Sequence, residues 1–287
     1  MTTIYLNGKF LPPEQAMVSV MDRGYLFGDG VYEVIPVYNG KAFRLDAHLK
    51  RLHNSLEAIR IREPMSVAEW RTMIEGLLAR NPGADQYIYL QVTRGVAPKR
   101  DHAFDDSLVP AVFAMINPIP PADPAVARDG IKAITLDDIR WHACNIKAIT
   151  LLPNVLLRQQ AIDSGAAEAI LIRNGYATEG AASNLFIVKR GLLVTPPKSA
   201  QLLPGITRDV ILELAAHNAL PYREADISEA DLRDADEVWM TSSTKEILPV
   251  TRLDDTPVGD GKPGAVYQRM SALYSAYKEQ VRSGAAV

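Results

Sequence analysis

The chain has 287 residues, 47% of them hydrophobic and 23% charged, enough to bury the core of one large domain or two ordinary ones. A formal net charge of −3 leaves no basic footprint for nucleic acid, so small-molecule partners are favoured. The single cysteine, Cys144, excludes an intrachain disulfide and a thiolate zinc cluster, and no metal site is expected.

The N-terminus, Met1-Thr2-Thr3-Ile4-Tyr5, lacks a basic leader, and no stretch approaches the roughly 20 apolar residues of a membrane helix. With one cysteine, that fits a cytoplasmic enzyme that meets no membrane. Basic residues mostly have acidic neighbours, as in Arg223-Glu224 and Lys245-Glu246.

Ile4-Tyr5-Leu6 followed by Asn7-Gly8 predicts a strand entering a hairpin, and Gly30–Tyr38, Asn39-Gly40 and Lys41–Leu45 predict a second. Leu49, Leu52, Leu56 and Ile59 recur at helical spacing, with Asp46 as the expected N-cap. A second helix is expected over Val67–Arg80, then strands at Tyr87–Arg94 and Ala111–Ile116. Residues 118–124 hold a proline-rich linker, read as stiff and extended. Beyond it, strands are expected at Ile131–Leu136, Ala169–Arg173, Asn184–Val188 and Glu237–Thr241. Helices are expected near Pro153–Ser164, Thr207–Asn218 and Gly264–Val281. The division is a small N-terminal α+β domain over 1–117 and a larger C-terminal domain over 125–287.

Ten of the eleven lysines sit in polar, turn-like or strand-end contexts. Lys147 lies instead in the apolar run Ile146-Lys147-Ala148-Ile149, where desolvation favours the neutral amine needed to form a Schiff base. The commoner role for such a lysine is to snorkel from a strand edge. Glu179, in the small-residue turn Thr178-Glu179-Gly180-Ala181-Ala182-Ser183-Asn184, could hold a pyridine nitrogen protonated, though a turn glutamate is usually ordinary. Leu203-Pro204-Gly205-Ile206-Thr207-Arg208 opens a helix whose free amides suit a phosphate. Thr241-Ser242-Ser243-Thr244 offers hydroxyls and amides of the same kind, and Arg51 could add full charge, against the alternative of a solvated helix face.

Taken in order, these segments resemble the fold-type IV pyridoxal-phosphate enzymes. That group includes D-amino-acid aminotransferases, branched-chain aminotransferases and aminodeoxychorismate lyases. The likeness is strongest to the D-amino-acid aminotransferases, through Asp22-Arg23-Gly24-Tyr25, Phe27-Gly28-Asp29-Gly30-Val31-Tyr32-Glu33-Val34, Gln91–Gly95 and Asp138–Trp141.

The resemblance implies a two-domain α+β fold, the larger domain having a barrel-like β core, with pyridoxal 5′-phosphate as cofactor. Lys147 would be the Schiff-base lysine and proton shuttle, and Glu179 would meet the ring nitrogen. Arg51, Ile206, Thr207, Ser242 and Ser243 would hold the phosphate, and Leu203 would pack on the ring. Tyr32 would bind the substrate carboxylate with Arg100 and His102, the last two on the loop Pro98–Phe104, which would reach the neighbouring subunit of a homodimer. Transamination between a D-amino acid and a 2-oxo acid follows, of the D-alanine and 2-oxoglutarate type. A branched-chain L-aminotransferase and an aminodeoxychorismate lyase are the alternatives.

Overall fold

The protein is described by a computed structural model covering residues 2–285. By its contacts the chain divides into two compact units at Pro120/Pro121. The first also takes Ile146–Thr150 and the chain from Gln280 onward, which a single cut at the proline run does not anticipate.

In the first unit, β1 (Ile4–Leu6) and β2 (Lys9–Leu11) turn on Asn7-Gly8, with φ of 47° and 88° as a type I′ turn requires. The short helix α1 (Arg23–Phe27) is N-capped by Asp22, whose carboxylate accepts from the Gly24 N–H at 2.7 Å. The hairpin of β3 (Gly30–Tyr38) and β4 (Lys41–Ala42) turns on Asn39-Gly40. Its second arm is shorter than expected, because Phe43 is buried and Arg44, at φ 51°, bends the chain into α2 (Leu45–Ala58). Arg44 therefore takes the N-cap position expected for Asp46, which falls in the first turn, where its charge favours the helix dipole. The helix α3 (Val67–Arg80) starts from a capping box of Ser66 and Glu69. Two long strands, β5 (Asp85–Thr93) and β6 (Ala111–Pro118), complete an antiparallel sheet of order β2-β1-β6-β5-β3-β4.

Alternation along β5 and β6 separates the two faces of this sheet. Ile88, Leu90, Val92, Val112, Ala114 and Ile116 are buried against Leu49, Leu52 and Leu56 of α2 and Trp70, Ile74 and Leu77 of α3. Tyr32, Tyr89, Gln91 and Phe113 line the half-buried opposite face.

Residues 119–123 lie outside any helix or strand, and α4 (Pro124–Asp129) then begins on the last residue of the proline-rich stretch. Asp123 caps it and Pro124 takes the first helical position, one that proline suits. Then come β7 (Ile131–Asp137), α5 (Leu152–Asp163), β8 (Glu168–Arg173), β9 (Tyr176–Gly180), β10 (Asn184–Lys189) and β11 (Leu192–Thr195). After α6 (Ile206–His217) follow β12 (Tyr222–Glu224), β13 (Ile227–Ser228), α7 (Glu229–Arg233) and β14 (Glu237–Ser242). The chain closes with β15 (Glu246–Leu253), β16 (Thr256–Pro257) and α8 (Ala265–Ser283).

The ten-stranded sheet runs β12-β11-β10-β14-β15-β7-β8-β9-β13, with β16 on β15. Strands β10 and β9 stand five places apart in it, about 24 Å if the sheet were flat. Residues 181–183 alone join them, and the four steps from Gly180 to Asn184 reach at most about 14 Å. The sheet must therefore curl into a half-barrel, with Ile170, Leu185, Ile187, Val238, Met240 and Val250 in its core. Among the described residues no helix is long and apolar enough to cross a membrane.

Candidate active site

Lys147 lies on the strip Ile146–Thr150, which has no regular structure of its own but is laid along β3. The Tyr32 N–H donates to the Lys147 carbonyl at 2.9 Å, and the Ile149 N–H to the Gly30 carbonyl at 3.0 Å. From the other side, the Lys147 N–H donates to Ser55 Oγ on α2 at 3.2 Å. Three hydrogen bonds thus fix the backbone that carries a half-buried amine. Its Nζ stands 4.2 Å from the centre of the Tyr32 ring, within cation–π range. Tyr32 stacks in turn on Tyr89, whose hydroxyl donates to Gln91 Oε1 at 2.8 Å.

Arg51 is buried on α2, not on a solvated face. Its Nε and Nη2 each donate to the fully buried Glu33 carboxylate at 2.8 Å, and His48 Nδ1 lies 2.7 Å from the same group. Burial alone would push Glu33 up, but Arg51 and His48 hold it well below the usual carboxylate range. An ionised Glu33 requires the hydrogen on Nδ1 of His48. Burial, aided by the Arg51 and Lys147 charges, lowers His48 and keeps it neutral, and its Nε2 has no partner among the described residues. His48, Arg51 and Ser55 recur at helical spacing among the leucines of α2. That polar stripe is the sequence signal for His48 and Ser55; the signal for Glu33 is a lone acid in the otherwise apolar and aromatic strand β3.

In the second unit, Glu179 is a buried residue of β9, one before its end at Gly180; only 181–183 form the turn. Its Oε1 accepts from Arg140 Nη1, and its Oε2 from Asn184 Nδ2 and the Leu203 N–H, both at 3.1 Å. Arg140 is held by Asp138, through Nε at 2.8 Å and Nη2 at 2.9 Å. Burial would raise Asp138, yet Arg140 keeps it low, whereas burial pushes Glu179 up to about 7 despite Arg140. A carboxylate has about four acceptor positions and three are taken, so Glu179 has room for one further N–H donor.

The phosphate candidates are tied to the same carboxylate. Asn184 Nδ2 also donates to the Leu203 carbonyl at 2.8 Å, fastening the loop that leads into α6. Gly205, the N-cap of α6, offers no side chain to the free amides of Ile206 and Thr207, a ready anion site. Asn184 pairs across the sheet with Thr241, so Ser242 and Ser243 follow at the same end of the sheet. Thr241 Oγ1 is buried without a partner among the described residues. A buried carboxylate with spare capacity and an uncapped helix start fit the nitrogen and phosphate of pyridoxal phosphate. Arg140, Asp138 and Asn184 are the orienting residues to which the sequence had led us to assign no role.

Arg100 and His102 stand on a loop of the first unit, both exposed. Arg100 lies over the Phe27 ring at 5.0 Å, and His102 packs on the same ring at 5.3 Å. Buried Arg23 anchors the loop by donating to the Asp101 carbonyl at 2.6 Å and the His102 carbonyl at 3.0 Å. Phe104 lies under the Arg94 guanidinium at 3.6 Å. Among the described residues no hydrogen bond or ring contact joins Arg100 or His102 to Tyr32.

The curled ten-strand sheet and the six-stranded α+β unit define a fold-type IV enzyme. Residues 30–253 match the family model described as amino-transferase class IV, and the chain belongs to that family. It is 42% identical over 261 residues to the D-alanine aminotransferase of Bacillus licheniformis, covering 91% of this chain and 92% of the relative. The D-alanine aminotransferase of Staphylococcus epidermidis is 38% identical over 277 residues, 96% of this chain and 98% of that one. Among solved structures, the branched-chain amino acid aminotransferase of Escherichia coli superposes with a TM-score of 0.89 at 30% identity, over 96% of this chain and 93% of that one. The branched-chain aminotransferase of Thermoproteus uzoniensis with norvaline gives a TM-score of 0.87 at 26% identity, over 97% and 95% of the two chains.

Proposed function

We propose that the chain transfers the amino group of a D-amino acid, D-alanine above all, to a 2-oxo acid such as 2-oxoglutarate, with pyridoxal 5′-phosphate as cofactor. One observation carries the choice of hand. The D-alanine aminotransferases are 38–42% identical over nearly the whole chain, whereas the branched-chain structures are at 30% or below.

When bound, the cofactor supplies an aldehyde and a protonated ring that draws electron density from the substrate Cα. Lys147 would carry the cofactor covalently. Once displaced by substrate, its amine would take the Cα proton as general base and, as general acid, deliver it to the cofactor carbon that bore the aldehyde, the shift that transamination requires. The hydrogen bonds on both sides of its backbone support this role, since a proton carrier must keep its place between the two transfers. Glu179 would accept the N–H of the ring nitrogen, with its carboxylate oriented by Arg140 and Asn184. Arg51, Ile206, Thr207, Ser242 and Ser243 hold the phosphate, and Leu203 packs on the ring.

The substrate carboxylate is bound by Tyr32 with Arg100 and His102, the latter two serving the site of a partner subunit in a cytoplasmic homodimer. Their exposure supports this, as do the exposed apolar residues Met17, Val18, Val20, Tyr25, Val96 and Val109 of the same unit. The test is a half-reaction on the cofactor-loaded enzyme, followed by visible absorption. D-alanine bleaches the cofactor band and L-leucine does not; bleaching by L-leucine alone would replace this reading with the branched-chain one.

A further inference from the structure

Register and alternation place Ile187 and Lys189 of β10, Leu192 and Val194 of β11 and Arg223 of β12 on one face of the curled sheet. Ile187 pairs with Val194, Lys189 with Leu192, and Val194 with Arg223. Ile187 and Val194 belong to the core of the half-barrel, and Ile227 of β13 packs in the same cluster. These residues and Asp231 of α7 line a cavity of about 390 Å³. It lies by Lys189, the last residue of β10, whereas Asn184, which donates to Glu179, is the first. Five steps of strand put the two residues roughly 17 Å apart, at opposite ends of the half-barrel. Small-molecule pockets hold about 300–1,000 Å³ behind an apolar wall with a few polar groups, and barrel mouths are a common place for them.

Six ionisable side chains line the cavity, and three of them are engaged. Lys189 Nζ pairs with Asp234 at 2.8 Å, and Asp231 accepts from the Ser228 N–H at 3.3 Å in the capping box of α7. The other three, Arg190, Arg223 and Asp226, have no side-chain hydrogen bond or ion pair among the described residues. Glu224, next to Arg223 in sequence, does not neutralise it. Alternation turns Glu224 to the other face of β12, where Arg208 Nη2 donates to it. Two free cations against one free acid leave one positive charge in excess beside an apolar floor. An occupant that answers both features has a short aliphatic body and a single carboxylate. A neutral molecule leaves the charge unanswered and a cation adds to it, whereas a guanidinium can meet a carboxylate through two parallel N–H donors.

We propose that this end of the half-barrel is a binding site for a small aliphatic carboxylate, its tail on Ile187, Val194 and Ile227 and its head on Arg223. The site is separate from the residues around Glu179, and it stands whichever substrate Lys147 serves.

The test is titration of the cofactor-loaded protein with hexanoate, hexan-1-ol and hexylammonium, followed by the methyl NMR signals of Ile187, Val194 and Ile227. These signals report the cavity alone, so hexanoate held among the substrate-binding residues does not confuse the result. Hexanoate should shift all three and bind about 10-fold tighter than hexan-1-ol, the low end for a charge-assisted hydrogen bond because the rim is exposed. Arg223→Gln should bring hexanoate down to the level of hexan-1-ol and leave the alcohol unchanged. Arg223→Lys, which keeps the charge, should retain part of the preference. Leu192→Trp, which puts an indole into the half-buried edge of the cavity, should abolish binding of both. Arg223 is exposed, so its replacement should leave thermal unfolding as in the wild type. Three unmoved methyl signals, equal affinity for acid and alcohol, a preference for hexylammonium, or an Arg223→Gln protein that still prefers hexanoate would each overturn the proposal.

Discussion

Gly205→Ala should damage the protein through a residue it does not itself hydrogen-bond. The backbone there has φ −71° and ψ 134°, which alanine adopts without strain. A methyl group, however, would lie 1.9 Å from Asn184 Oδ1, so the Asn184 side chain must move. That side chain holds Glu179 Oε2 at 3.1 Å and the Leu203 carbonyl at 2.8 Å. The bond to the carboxylate is worth about 1.5–3 kcal/mol and the neutral one about 0.5–1.5 kcal/mol, so the loss is about 2–4 kcal/mol. For a chain of this size that corresponds to a fall in Tm on the order of 10 °C. Thermal unfolding of the cofactor-free protein by circular dichroism measures it, and a titration with pyridoxal phosphate should show weakened binding. Both substitutions break the same bonds, so Gly205→Ala combined with Asn184→Ala should be little worse than Asn184→Ala alone. A Gly205→Ala protein as stable as wild type, or fully additive losses, would refute the reasoning.

Glu33→Gln should cost about 3–5 kcal/mol, because it leaves the buried Arg51 without its counter-charge. The folded Glu33 carboxyl is depressed, so its contribution is present above the ordinary glutamate pKa of about 4.3 and fades as pH falls further; denaturant melts from pH 7 to 3 should show a flatter acid limb in the variant. Ser55→Ala removes the acceptor of the Lys147 N–H and should loosen the strip by about 1 kcal/mol. Hydrogen exchange at the Lys147 amide should then quicken about fivefold, and an unchanged rate would mean that the strip is held by β3 alone.

Long elements with clear periodicity were legible before any coordinates: α3, α5, α6 and β3 all fall within a few residues of where their patterns put them. Strands β12, β13 and β16 have two or three residues each, too few for alternation to register. Small and polar residues hid β9, which reads as a turn although Thr178, Glu179 and Gly180 are all buried. In the site, the residues whose chemistry is peculiar to one side chain were legible once they were taken together. Those that orient them were not, because their partners are remote in sequence. Arg140 and Glu179 are 39 residues apart, and Lys147 and Ser55 are 92 apart. Nothing in local sequence marks Asn184 as the link between a carboxylate and a helix start.

The strip Ile146–Thr150 has a consequence for how the protein is made. Synthesis delivers all six strands of the first sheet by Pro118, yet β3 waits until residue 150 for the backbone that completes it. By then the chain has begun its second unit, and must still finish it. A ribosome that stalls before residue 146 leaves a first unit with no lysine at this place, and a fragment beginning after the proline run carries the lysine but no β3 to hold it. The reactive amine is therefore in position only in a chain that holds both parts. Splitting this protein at its apparent boundary should yield two pieces, neither of which captures cofactor.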